Sequence, residues 1–289
     1  MNGMNNVIIE LKDVSHVYPS RTSPVMALRG INLNISQGEI LAIIGQNGSG
    51  KTTLAKHLCG ILTPTGGTVS VFGIDTKRSN ASKICQKIGY VFQNPDHMLF
   101  SGSILEEVSF GPKNLGLPES EIMTRTESAL KMLGIYDKKD EFPRFLPLIV
   151  RVKCAIASVL ALDPQVIIFD EPTTGQDHRG AIEILELARN LNEEQGKTII
   201  FVTHDMDIVA KYAHRAVVMS QGQILLEGKP DYIFGKTDIL ATTYLEPPSI
   251  VRLTQMMKDV HFERTPLTVD EFCEEATRLI RDRSGPSKL

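Results

Sequence analysis

The sequence predicts an α/β fold in which a mainly parallel sheet is covered by helices on both faces and a small antiparallel β-subdomain lies beside it. Three observations carry this. Short apolar runs at residues 40–44, 166–169 and 198–202 alternate with helix-compatible segments, the pattern of parallel strands buried on both faces. The glycine-rich stretch Gly45-Gln46-Asn47-Gly48-Ser49-Gly50-Lys51-Thr52 joins the first of these runs to a helix-like segment. Between residues 27 and 35, apolar Leu28, Ile31, Leu33 and Ile35 alternate with polar neighbours, the period of a half-buried antiparallel strand.

Taken in order, residues 7–11 read as a first strand. His16, Val17, Tyr18 and Pro19 follow, then a polar loop to Pro24. Gly38 and Glu39 turn the chain into the run at 40–44. Residues 52–59 read as a helix with Gly60 in the place of a C-terminal cap. Residues 66–73 form a short strand bounded by glycines, and 88–92 a strand that ends at Gln93. Residues 94–117 are loop and helix, with Asp96, Glu106 and Glu107. A helix over 119–133 stops at Gly134. Residues 146–162 are apolar and helical, and 179–195 form an amphipathic helix closed by Gly196. Residues 216–226 suggest two short strands across Gln221 and Gly222. From about Asp238 the character changes: Pro247-Pro248, helix-compatible stretches at 251–260 and 269–281, and a polar tail. The expected division is a main domain over 1–237 and a C-terminal accessory or dimerisation region over 238–289.

The 289 residues are enough for a large core, and the formal charge of −3 does not indicate a nucleic-acid-binding surface. Cys59, Cys85, Cys154 and Cys273 have no C-x-x-C spacing and read as free buried thiols, as expected in a reducing cytoplasm. The short polar start gives no signal peptide, and no apolar run is long enough to cross a bilayer. Any membrane role is therefore expected to pass through a partner.

The glycine-rich stretch fits G-x-x-x-x-G-K-[ST] between strand and helix, the context such a P-loop needs. Gly45, Gly48 and Gly50 let the backbone curl, so that N–H groups in the loop from Gly45 to Thr53 point at phosphate oxygens. The helix N-terminus adds partial positive charge. Lys51 is placed to reach the β- and γ-phosphates and Thr52 to ligate Mg²⁺. Asp170 and Glu171 end a buried strand, as a Walker B pair would: Asp170 toward Mg²⁺, Glu171 as general base. His204 ends the strand after that. A lone histidine is more often structural, but its place after both motifs suits contact with γ-phosphate and water. Gln93 is placed to touch Mg²⁺ and the water. Tyr18 offers a face on which adenine would stack, though a tyrosine alone is more often a packing residue.

Together, Tyr18, the motif at residues 45–52, Gln93-Asn94-Pro95-Asp96, Phe169-Asp170-Glu171-Pro172, Gly175-Gln176-Asp177 and Thr203-His204-Asp205 resemble an ABC-type ATPase over about residues 7–228. The resemblance implies a P-loop NTPase core with a helical subdomain, an activity (ATP hydrolysis with Mg²⁺), and a place at the cytoplasmic face of a membrane. It makes Tyr18 the A-loop, Gln93 the Q-loop, Asp177 the D-loop acid and His204 the switch histidine. Leu99-Phe100, Val108-Ser109-Phe110-Gly111-Pro112, Asn114-Leu115-Gly116-Leu117 and Leu245-Glu246-Pro247-Pro248 are similar to the ATPases of energy-coupling factor (ECF) importers. Such an ATPase would work with a transmembrane coupling subunit and a substrate-capture membrane protein, with no nucleic acid. Asp96, Glu106 and Glu107 are then either contacts for that subunit or simply a solvated face. A conventional ABC transporter ATPase and a non-transport regulatory ABC protein are the alternatives.

One departure matters. Where the family carries Leu-Ser-Gly-Gly-Gln, this chain has Leu146-Pro147-Leu148-Ile149-Val150. Pro147 lacks both N–H and hydroxyl, and Leu148 and Ile149 put bulk where glycines allow close approach. Losing charge-assisted bonds of about 1.5–3 kcal/mol each would cripple that face for phosphate. Gln176 also stands where the D-loop usually has an apolar residue. The expectation is an asymmetric heterodimer with a second ABC ATPase whose signature is intact.

Overall fold

The computed structural model describes residues 6–20, 23–78, 81–257, 260, 262 and 264–284. The chain opens with two long strands, β1 (Val7–Tyr18) and β2 (Val25–Ser36), paired antiparallel. Strand β3 (Ile40–Gly45) is buried throughout and runs into helix α1 (Lys51–Leu58). Strands β4 (Gly66–Val71) and β5 (Ile74–Asp75) complete a four-stranded antiparallel sheet in the order β2-β1-β4-β5. This is the expected β-subdomain.

A short helix α2 (Ala81–Cys85) leads to β6 (Ile88–Val91). Helices α3 (Ile104–Asn114), α4 (Glu119–Met132) and α5 (Leu148–Leu160) form the helical subdomain. Then come β7 (Val166–Asp170), α6 (His178–Glu193), β8 (Thr198–Thr203), α7 (Met206–Tyr212), β9 (Arg215–Ser220) and β10 (Gln223–Gly228). The main sheet has six strands in the order β10-β9-β3-β8-β7-β6, parallel except where β10 meets β9. The chain closes with α8 (Pro230–Gly235), α9 (Thr237–Thr242), α10 (Ser249–Met256) and α11 (Val269–Ser284).

Alternation along the strands sorts the core into two faces. Ile167, Phe169, Ile199 and Phe201 face the helices α3 to α6, whereas Leu41, Ile43, Ile168, Ile200 and Val202 share a core with α1 and the β-subdomain. All these side chains are buried, and burial stabilises each by about 1.5–3 kcal/mol. A third cluster joins Ala42, Ile44 and Val218 to Phe234, Leu240, Leu245 and Val251, so the start of the C-terminal region packs on the main sheet. Arg215 clamps the two sheets: its guanidinium grips Glu39 at 2.7 and 3.0 Å, donates to the carbonyl of Asn34 at 2.6 Å and pairs with Glu227.

Several boundaries differ from the sequence reading. The helix expected from residue 146 begins at Leu148, because Pro147 caps it in an extended conformation with ψ 149°. The helix expected over 251–260 ends at Met256, and residues 258 and 259 lie outside the described residues, as does most of the polar tail, 285–289. The short helices α2, α7, α8 and α9 have too few turns to leave a period in the sequence. All four cysteines are free, but only Cys59 and Cys154 are buried; Cys85 and Cys273 are exposed, since α2 and α11 turn them outward. Burial pushes the Cys59 and Cys154 thiols up to about 12, which keeps them unreactive.

Candidate nucleotide-binding site

The loop between β3 and α1 has the backbone of a phosphate cradle. Gly45, Gly48 and Gly50 have φ of 155°, 81° and 105°, and a Cβ on Gly45 would lie 2.3 Å from the carbonyl oxygen of Met219. On Gly50 it would lie 2.6 Å from the carbonyl oxygen of Ala27. No residue with a side chain fits at these two positions. Gln46 and Asn47 are exposed at the loop tip, while Ser49 is buried and its hydroxyl has no partner, an orphan suited to a phosphate oxygen.

Lys51 is buried at the N-terminus of α1 and donates to the carbonyls of Gly45 and Gln46 at 2.7 and 2.9 Å. Burial holds its pKa below the usual lysine value, against the opposing pull of Glu171 and Asp170. The adjoining Thr52 donates to Asp170 Oδ1 at 3.4 Å. Asp170 ends β7 and is buried; its other oxygen accepts from the Tyr90 hydroxyl at 2.6 Å. A hydroxyl and a carboxylate held together offer the hard oxygen donors that Mg²⁺ takes alongside nucleotide phosphates. Among the described residues no group of three or more His, Cys, Asp or Glu forms a metal cage. The donor set thus fits an ion that arrives with the nucleotide.

Glu171 has φ +49°, and its N–H donates to the carbonyl of Val202 on the next strand at 2.8 Å. That turn brings its carboxylate to the mouth of the cradle, where Oε1 lies 2.8 Å from Nδ1 of His204. A carboxylate accepts, so His204 Nδ1 carries the proton and Nε2 remains as the second polar atom. The Glu171 side chain is 10% exposed and that of His204 is 63% exposed. A shielded base with an exposed histidine beside it can take a proton from water and sense a phosphate at once.

The other expected residues are spread around this centre. Tyr18, at the end of β1, sets its hydroxyl 3.4 Å from Thr53 Oγ1 on α1. Gln93 is exposed just beyond β6. Asp177 caps α6, accepting from the N–H of Gly180 at 2.7 Å. A cleft of about 740 Å³ opens between Gln46, Asn47, His204 and Asp205 on one side and Tyr244 and Arg252 of the C-terminal region on the other.

The signature-position residues start α5. Leu148 and Ile149 turn toward the D-loop side, with methyl carbons 3.2 and 3.0 Å from where Cβ atoms on Gly175 and Gly180 would stand. Glu107 is buried and accepts from the N–H groups of Phe100 and Ser101 at 2.8 and 2.7 Å, so it fastens a loop and cannot meet a partner. Asp96 is held by Arg151 at 2.6 Å. Sequence reasoning did not find Tyr90: its pairing with Asp170 depends on β6 lying beside β7, and the sequence carries no mark of strand order.

A phosphate cradle opening an α/β sheet, with paired acids ending the strand two places away, defines a P-loop nucleoside triphosphatase. The ABC transporter family model matches residues 28–174. A putative ABC transporter ATP-binding protein of Methanothermobacter thermautotrophicus is 41% identical over 97% of this chain and 99% of its own length. The energy-coupling factor transporter ATP-binding protein EcfA of the same organism is 39% identical over 94% of this chain and 88% of its own length. The chain spans 45% of the length of a further relative from Caldanaerobacter subterraneus, 46% identical over 92% of this chain. Among solved structures, cbiO1 of Clostridium perfringens, part of the ABC transporter complex cbiONQ, superposes with a TM-score of 0.72 at 39% identity, over 88% of this chain and 99% of that one. A dimeric ATP-binding cassette with bound ADP and Pi superposes at 0.71 with 30% identity, over 77% of this chain and 98% of that one. The chain belongs to the ABC transporter family. It is the ATP-binding, ATP-hydrolysing subunit of a transporter. No helix of its described residues is long and apolar enough to cross a membrane.

Proposed function

We propose that this ATPase drives solute uptake through an ECF-type importer, at the cytoplasmic face of the membrane, as one half of an asymmetric ATPase heterodimer. The likeness to the Methanothermobacter EcfA and to the Clostridium cbiO1 supports the importer class. The observation that carries the asymmetry is the contrast within one chain. The cradle, Asp170, Glu171 and His204 are assembled, whereas α5 begins with Pro147, Leu148, Ile149 and Val150, which have no side-chain polar atom.

In this reading Tyr18 stacks on the base, and the N–H groups of the loop with Lys51 bind the phosphates. Thr52, Asp170 and Gln93 would hold Mg²⁺, which neutralises phosphate charge when bound. Glu171 accepts the proton of the attacking water, and His204, whose Nδ1–H donates to Glu171, holds that carboxylate toward the γ-phosphate. The Asp177 side of the D-loop meets the partner ATPase, whose intact signature closes this site. This chain's own apolar face offers the partner's nucleotide only backbone. A transmembrane coupling subunit receives the closing motion, and a substrate-capture protein supplies the solute. Residues 238–289 serve as the accessory region, the start of which walls the cleft beside His204.

The test uses Glu171→Gln, which should bind ATP without cleaving it. On a sizing column with Mg-ATP, the variant alone should run as a monomer. With a co-expressed ABC ATPase that carries Leu-Ser-Gly-Gly-Gln, it should run as a dimer. A stable ATP-dependent dimer of this chain alone would refute the asymmetry.

A further inference from the structure

Four side chains beside the phosphate loop form a closed circuit. His57, on α1, is fully buried, and its Nδ1 lies 2.7 Å from the carbonyl oxygen of Thr53. A carbonyl only accepts, so Nδ1 bears the proton, and in the neutral ring Nε2 must be an acceptor. That Nε2 lies 3.1 Å from Nδ1 of His16, which therefore donates. Both tautomers are fixed by one carbonyl. The His16 ring stands edge-on to Tyr18 at 4.5 Å and 76°, and to His57 at 4.6 Å and 73°. Tyr18 closes the circuit through its hydroxyl, 3.4 Å from Thr53 Oγ1.

Packing alone does not call for this arrangement. A buried imidazole is costly unless both nitrogens are satisfied, and a leucine would fill the space more cheaply. What the pair adds is direction: it orients the ring of His16, and His16 borders Tyr18. Burial and the neighbouring His16 both lower the pKa of His57, which favours the neutral ring that the circuit requires.

We infer that His57, acting through His16, is a positioning residue that holds the Tyr18 ring at the angle at which it receives the base of the nucleotide. The inference rests on the proposed reading of Tyr18 as the base platform. It makes base and phosphate recognition mechanically one unit, since Thr53, which anchors both ends of the circuit, follows Thr52 on the phosphate-binding helix.

The experiment compares two ligands on the full chain by titration calorimetry: Mg-ATP, and inorganic tripolyphosphate, which has no base. His57→Phe should raise the Kd for ATP by about 5- to 20-fold, a partial loss of one stacked base, and leave tripolyphosphate within about 2-fold. His16→Phe, on β1 rather than on α1 itself, should do the same and serves if His57→Phe does not fold. Tyr18→Ala should give an equal or larger selective loss. Equal weakening of both ligands by the histidine variants would mean a merely structural pair and overturn the inference. A selective loss in Tyr18→Ala with none in either histidine variant would overturn it while sparing the platform. Unchanged ATP affinity in Tyr18→Ala would sink the platform and the inference together.

Discussion

Tyr90 donates its hydroxyl to Asp170 across the β6–β7 edge of the sheet, at 2.6 Å and out of contact with water. The bond is charge-assisted, and it fixes the carboxylate that also accepts from Thr52. Burial, with Asp170 beside it, pushes the Tyr90 pKa far above its usual value, so the phenol stays a donor at every working pH.

Tyr90→Phe should therefore lower stability by about 1.5–3 kcal/mol, the worth of a hydrogen bond to a charged group, since the phenyl ring still fits but the carboxylate loses a partner. Urea unfolding measures this. The same variant should need more Mg²⁺ for half-maximal ATPase activity, because Asp170 is no longer held.

Gly45→Ala should abolish nucleotide binding. The added methyl would meet the carbonyl of Met219 at 2.3 Å, and the backbone of neither strand can yield. Gly48→Ala meets nothing within 4 Å, so only its φ of 81° opposes it, at a cost of about 1–2 kcal/mol. Calorimetric titration with ATP should separate a dead Gly45 variant from a weakened Gly48 variant.

The same contrast marks what the sequence discloses. The cradle, the Asp170–Glu171 pair and His204 were legible because each depends on a local pattern: strand, special residue, helix or loop. The three central strands β3, β7 and β8 were legible because complete burial demands apolar runs. Tyr90, His16 and His57 were not, since their chemistry arises from strand order and from the docking of β1 on α1. Glu107 misled for a related reason. A glutamate on an acidic stretch reads as solvated, and only the fold reveals that two loop N–H groups bury it.

The lowered pKa of His57 sets a direction with pH. An unfolded chain binds this proton near pH 6.5, and the folded chain resists it to lower pH. The contribution is fully present above about pH 6.5 and is lost as pH falls below it, by at most about 1.4 kcal/mol per pH unit, until the folded ring itself protonates. His57→Phe removes the group from both states. Melting temperatures of the two proteins should therefore diverge between pH 7.5 and pH 5.5, with the variant gaining relative to the parent as the medium acidifies (on the order of one or more degrees for a domain this size). Parallel curves would show that His57 does not resist protonation in the fold.

Rebuilding the signature should trade stability for self-association. Pro147→Ser, Leu148→Gly, Ile149→Gly and Val150→Gln together, in the Glu171→Gln background, supply a hydroxyl, an amide and free N–H groups at the start of α5. In the proposed reading this chain then carries both halves of a nucleotide sandwich, and it should form an ATP-dependent homodimer on the sizing column. The cost follows from what Leu148 and Ile149 touch. Both are half-buried and pack beside Gly175 and Gly180, so their removal strips apolar contact from the D-loop side of α5. Two partly buried aliphatic side chains and two glycines in a first helical turn should together cost about 2–5 kcal/mol, read as a lower urea midpoint. A rebuilt protein that loses this stability and still stays monomeric in ATP would mean that the apolar tip is not what prevents self-pairing. The barrier would then lie in the D-loop, where Gln176 keeps a buried amide nitrogen without a partner.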